Sequence, residues 1–223
     1  MSDRKLIVFD FDGTLVDAHA EYTNALREFS ESRNLPWDTD KMALGYTTPG
    51  ISDLGWGVPI DQQLELFKAL NAFYFTEMVE QKRFMPTLFP DTLSVLEELS
   101  QDYDLGVITA RDRKSLLAIF EHYNLEKYFL GYRSLCCARD RGYAIKPDAG
   151  AVYCLLGDTR HHVENIVVVG DTTADIGMAN NAGAKSIAAL WGVHPPEKLQ
   201  AADPTVMLRD MRDLPKTIRQ MFV

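Results

Sequence analysis

The sequence predicts an α/β fold: a doubly wound parallel sheet with an all-helical cap inserted after its first strand. Three observations carry this. Short apolar runs at 6–9, 105–108 and 166–169 alternate with stretches of helical periodicity, the pattern of strand–helix–strand units. Each run is followed at once by polar residues: Asp10 and Asp12, Thr109, and Gly170-Asp171. Residues 18–85 carry helical spacing and no strand pattern. The expected division is therefore an α/β core of 1–17 and 86–223, with 18–85 as a helical lid above the carboxyl edge of the sheet. Its crossovers should be right-handed.

Taken in order, 6–9 is short and apolar enough for a buried parallel strand, and Gly13 breaks it. Tyr22, Ala25, Leu26 and Phe29 then recur at three- and four-residue steps and give a helix one apolar face. Asp17 is placed as its N-cap, and Pro36 closes the region. A loop with Gly45, Tyr46, Thr47, Thr48, Pro49 and Gly50 follows, then Gly55-Trp56-Gly57. A second helix fits 61 to about 82, with Leu64, Phe67, Leu70, Tyr74 and Met78 along one side. Pro86 and Pro90 mark the return to alternation. Helices at 91–100, 112–123, 147–156 and about 174–182 then separate strands at 105–108, 132–137, 166–169 and 186–190. A weak strand at 205–208 and a C-terminal helix complete the chain.

The 223 residues suffice for one sizeable core and a small accessory domain. With 46% hydrophobic and 25% charged residues the composition is that of an ordinary soluble protein. A net charge of −9 disfavours nucleic-acid and anionic-membrane partners. No apolar run reaches the length of a membrane span, and the first strand begins too early for a signal peptide. Cys136, Cys137 and Cys154 are odd in number and lack Cys-x-x-Cys spacing. Reduced thiols and a cytoplasmic location are expected. The oligomeric state is not legible.

In a parallel sheet the strand ends lie on one edge, where ligands bind. Asp10 and Asp12, Thr109, Lys146 before Pro147, and Asp171 with Asp175 can therefore converge. Each alone has a plainer reading: a strand-end hydroxyl for Thr109, a solvated lysine for Lys146, a helix N-cap for Asp171. In this order they resemble the four motifs of the haloacid dehalogenase (HAD) superfamily. Asp10-Phe11-Asp12-Gly13-Thr14 is similar to the first motif in its phosphatase form. The resemblance covers the whole Rossmann-like core; the cap matches in position and helical character only, as in the phosphoglycolate phosphatase-like branch.

The resemblance implies a phosphatase acting on a small phosphorylated metabolite. Asp10 would attack phosphorus and form an aspartyl phosphate. Asp12 would protonate the leaving alcohol and later deprotonate water, with crowding by neighbouring acids raising its pKa. Thr109 and backbone N–H groups would hold phosphoryl oxygens, and Lys146 would offset charge. A phosphate dianion beside one carboxylate meets roughly 8 kcal/mol of repulsion at 4 Å and an effective dielectric near 20. One lysine cannot balance the acids and a phosphate, so a divalent cation is required. Oxygen ligands argue for Mg2+. The resemblance makes Asp10, the Asp12 carbonyl, Asp171 and, directly or through water, Asp175 its ligands.

Two departures stand out. Ala110 follows Thr109 where many relatives carry Asn, so one phosphate-binding donor is either missing there or supplied elsewhere, for instance by Arg111; Ala110 and Arg111 are both kept as phosphate-binding candidates. Lys-Pro-Asp-Ala at 146–149 replaces the usual Lys-Pro-x-Pro, without catalytic consequence. His19 reads as a surface or capping residue, His161-His162 as a solvated loop, and His122 and His194 lack partners at metal-ligand spacing. Residues 46–50 form either a substrate-facing turn of the lid or a plain loop; Trp56 and Phe73 read as lid core. Alternatives to a phosphatase are a phosphosugar mutase of the same fold and a non-catalytic phosphate-metabolite sensor. The intact reactive set argues against the sensor. Dehalogenases and phosphonate hydrolases do not keep an acid at the position of Asp12.

Overall fold

In the computed structural model, which describes residues 4–36, 56, 58–131, 135–137 and 146–222, the first strand is the centre of the sheet. β1 (Leu6–Phe9) has four fully buried side chains. Alternation sends Leu6 and Val8 to one face and Ile7 and Phe9 to the other. β2 (Val16–Asp17) follows a tight turn and leads into α1 (His19–Ser32). After α2 (Ile60–Val79) the chain returns through β3 (Thr87–Leu88), which pairs with β2 in a two-stranded ribbon.

The remaining elements alternate as expected. They are α3 (Thr92–Asp102), β4 (Asp104–Thr109), α4 (Arg113–Tyr123), β5 (Leu135–Cys137), α5 (Gly150–Thr159) and β6 (Ile166–Gly170). Then come α6 (Thr173–Ala182), β7 (Lys185–Ala189), α7 (Pro196–Ala201), β8 (Val206–Leu208) and α8 (Leu214–Met221). The six-stranded sheet runs β5-β4-β1-β6-β7-β8, and every pairing in it is parallel. Leu6 and Val8 pack with Ile166 and Val168 against Val152 and Leu155 of α5 and Met178 and Ala179 of α6. Burial on both faces is why these strands are apolar throughout rather than alternating.

The chain divides into two compact units, Met1–Val16 with Leu88–Val223, and Asp17–Thr87. In the second, Leu26, Phe29, Trp56 and Leu70 form the core, joined by Tyr22 and Phe73. The Trp56 indole N–H donates to the buried Ser30 hydroxyl at 2.9 Å, which satisfies the one polar atom that so large a buried ring carries. Trp56 and Phe73 are thus core residues of this unit. The 45–50 loop and the Leu64 and Phe67 side chains fall outside the described residues.

Local chemistry moved some boundaries. Asp17 is the last residue of β2, and its carboxylate accepts the His19 N–H at 3.2 Å; Ala18 takes the N-cap position. The helix expected from 147 begins at Gly150, because the Asp148 carboxylate accepts the Gly150 N–H at 2.7 Å and closes a turn first. Of the strand expected over 132–137, Leu135–Cys137 is described.

Candidate active site

The sheet order reverses beside β1: from β1 the chain goes toward β4, and from β6 it goes toward β7 on the other side. Such a reversal opens a crevice at the carboxyl ends of the two strands. Asp10 stands directly after β1, and Asp171 directly after β6. The Asp10 N–H donates to Val169 O at 2.8 Å, extending the pairing with β6 by one residue. A turn follows in which Phe11 O accepts from the N–H groups of Leu15 and Val16, at 2.9 and 3.1 Å.

Gly13 sits in that turn at φ +89°, a left-handed conformation that side chains disfavour. A Cβ there would lie 2.3 Å from Asp171 Oδ2. From the other side, a Cβ on Gly192 would lie 2.2 Å from the Asp171 Cβ. Asp171 is therefore gripped between two backbones, and its polar atoms are matched. The Thr14 hydroxyl donates to Oδ1 at 3.0 Å and the Val193 N–H to Oδ2 at 2.8 Å. The Trp191 indole N–H donates to the Thr14 carbonyl at 3.0 Å, tying the loop after β7 to the first turn.

Asp175 is held by the start of α6. Thr172 is the N-cap, its hydroxyl accepting from the Asp175 N–H while the Asp175 carboxylate accepts from the Thr172 N–H at 3.0 Å. This reciprocal box fixes the side chain in the first helical turn. His194 also works here: Nδ1 accepts the Thr173 N–H at 3.0 Å, so a histidine with no metal-ligand spacing serves as a helix-end acceptor.

Lys146 bridges the end of β1 and the first turn of α6. Its ammonium lies 2.5 Å from Asp10 Oδ1 and 2.7 Å from Asp175 Oδ1. Carboxylate oxygens of Asp10, Asp171 and Asp175 all lie within 4.8 Å of one another, and all three residues are buried. Burial pushes the Asp10 carboxyl well above its ordinary range; Lys146 opposes this, and Asp175 and Asp171 add to it. Asp171 is pushed up to about 7 by burial and then by Asp175, against the hydrogen bonds from Val193 and Thr14. Burial pulls Lys146 down, but Asp10 and Asp175 outweigh it and hold the ammonium above the usual lysine range.

Three buried acids thus face one ammonium among the described residues, and two of them resist ionisation. That surplus of negative charge, with oxygen donors alone, fits a hard divalent cation. Asp10, Asp171 and Asp175 are the side chains that would hold it.

Thr109 ends β4 buried, and its hydroxyl accepts the Arg111 N–H at 3.0 Å. Ala110 between them is exposed. Arg111 forms a two-pronged pair with Asp12: Nε lies 3.1 and 3.0 Å from the two oxygens, and a terminal nitrogen lies 2.6 Å from Oδ1. The acids within 4.8 Å of one another are Asp10, Asp171 and Asp175, and the group bonded to Asp12 is the Arg111 guanidinium. Sequence reading missed Thr14, Trp191, Gly192 and Val193, although Thr14 lay inside the first motif. It also placed His161 in a solvated loop. His161 is buried, with Nε2 3.0 Å from Asp104 Oδ2, because Asp104 begins β4 at the opposite end of the strand from Thr109.

The chain matches the family described as haloacid dehalogenase-like hydrolase over residues 7–189. It is 27% identical over 210 residues to "Probable phosphatase IndB" of Dickeya dadantii, covering 92% of this chain and 89% of that one. It is 28% identical over 207 residues to the phosphoglycolate phosphatase of Pasteurella multocida, covering 86% and 88%. Among solved structures, a haloacid dehalogenase-like hydrolase of Streptococcus pneumoniae superposes with a TM-score of 0.80 at 23% identity. That match covers 98% of this chain and 100% of the other.

Proposed function

The chain belongs to the haloacid dehalogenase-like hydrolases, and from that premise we propose that it is a Mg2+-dependent phosphatase of a small phosphorylated metabolite. The observation that carries this reading is the buried triad of Asp10, Asp171 and Asp175 with Lys146 bonded to two of its members. Phosphatase and phosphoglycolate phosphatase are the names of its relatives, and a small phosphoester with an acidic tail is the substrate they suggest.

In this reading an Asp10 oxygen attacks phosphorus, the bond from phosphorus to the ester oxygen breaks, and Asp12 gives that oxygen a proton. The product on the protein is an aspartyl phosphate. Asp12, now a carboxylate, takes a proton from water as the water attacks phosphorus, and Asp10 and phosphate are released. The Thr109 hydroxyl and the N–H of Ala110 bind phosphoryl oxygens, with Arg111 beside them. Lys146 holds Asp10 in line and offsets charge. Asp10, Asp171, Asp175 and the Asp12 carbonyl would hold the Mg2+, which would supply the positive charge that keeps Asp10 ionised and lets a dianion approach it.

A steady-state assay with p-nitrophenyl phosphate tests the reading. Phosphate release that requires Mg2+ and stops with chelator is expected. No release, or release indifferent to chelator, refutes it. Stimulation by an added sugar bisphosphate would mark a phosphoryl-transferring mutase instead. A panel of phosphorylated metabolites ranked by kcat/KM then identifies the substrate.

A further inference from the structure

Arg111 is built into the site twice. Its backbone N–H is tied to the Thr109 hydroxyl, and its guanidinium holds both oxygens of Asp12. The contact is largely dry, with the Arg111 side chain 8% exposed and that of Asp12 25% exposed. A planar guanidinium on both oxygens of a carboxylate is the strongest pairing either group makes with a side chain. A proton placed on either Asp12 oxygen would then face an N–H donor rather than the leaving group.

We infer that Arg111 is a positioning residue that holds Asp12 in the ligand-free enzyme and transfers to the phosphoryl group when a phosphoester binds. This rests on the phosphatase reading above. A phosphate dianion offers the fork two oxygens and twice the charge of a carboxylate. The backbone of Arg111, fixed beside Thr109, already lies where such oxygens would be held. Transfer frees Asp12 to act on the leaving oxygen only when a phosphoryl group is present. Asp12 and the phosphoryl group therefore compete for one guanidinium.

Competition has a sign that simple screening does not. The probe is inorganic phosphate, with saturating Mg2+, titrated calorimetrically into wild type, Asp12→Ala, Arg111→Gln and the double variant. If Arg111 changes partners, removing Asp12 tightens phosphate binding about tenfold more when Arg111 is present than when it is Gln. If Arg111 stays on Asp12 and only screens it, the gain is larger in the Arg111→Gln background, where the bare carboxylate repels phosphate. Equal gains, or this reversed order, overturn the inference. Asp12→Asn, closer in shape, repeats the cycle if the alanine variant is unstable, and the same order is expected. Wild type that neither binds phosphate nor releases p-nitrophenol overturns the phosphatase reading as well. Hydrolysis with the reversed order overturns the partner exchange alone.

Discussion

At the scale of single residues, two aspartates that stand two positions apart have different partners. Asp10 is bonded to Lys146 within the acid cluster, while Asp12 lies in the grip of Arg111. An acid that protonates a leaving group matters in proportion to how poor that group is. Asp12→Ala should therefore slow hydrolysis of an alkyl phosphate by about 100- to 10,000-fold and leave an aryl phosphate far less affected. Equal losses on both would remove Asp12 from that role. Gly192 lies against the Asp171 Cβ, so Gly192→Ala should destabilise the fold by about 1–3 kcal/mol through overpacking and weaken Mg2+ binding. Urea denaturation checks the first effect and calorimetry the second. Asp10, Asp12 and Asp171 were legible because they follow apolar runs, a local signal, and Asp175 because it closes the polar stretch that begins at Asp171. Thr14, Val193 and Gly192 were not, because their roles arise from contact with Asp171, 157 residues from Thr14 and about 20 from the other two. Arg111 was legible as a candidate, but nothing in its neighbours named Asp12 as its partner.

At the scale of elements, the carboxylates are presented by ends: the end of β1, the end of β6 and the first turn of α6. The reciprocal bonds between Thr172 and Asp175 make the start of α6 both a helix cap and a mount for an acid. Thr172→Ala should cost about 1 kcal/mol of stability and, by loosening Asp175, lower Mg2+ affinity. Thr172→Ser, which keeps the hydroxyl, should restore both in a thermal melt with and without Mg2+. Loss of stability with unchanged Mg2+ affinity would show that the cap does not position Asp175. Strands of the core were readable because burial on both faces makes them continuous apolar runs, and helices because one face repeats. Termini were less so: a carboxylate bond at Asp148 delayed α5, and Asp17 became the end of a strand. His161 went astray because its partner Asp104, 57 residues away, is brought to it only by the folded sheet.

At the scale of the whole molecule, a protein of net charge −9 gathers three buried acids, Asp10, Asp171 and Asp175, into one cluster. The protonation of those acids should be visible in stability. Asp171 rises from 3.8 to about 7 on folding, so between those values the folded chain binds the extra proton. Stability of the metal-free protein therefore falls as pH rises from about 4 to about 7 and levels off above. Asp10, raised by the same burial, acts in the same direction. Mg2+ needs the carboxylates ionised, so its increment to the melting temperature should grow across that range. Melting curves at several pH values, with Mg2+ and with chelator, check both slopes.

The most direct test of the account is calorimetric titration of Mg2+ into the wild-type chain and into Asp171→Asn near pH 7.5. It predicts one ion per wild-type chain and loss of that binding in the variant. Wild type that binds no Mg2+, or a variant that binds it as tightly, would contradict the claim that the buried acids share a cation.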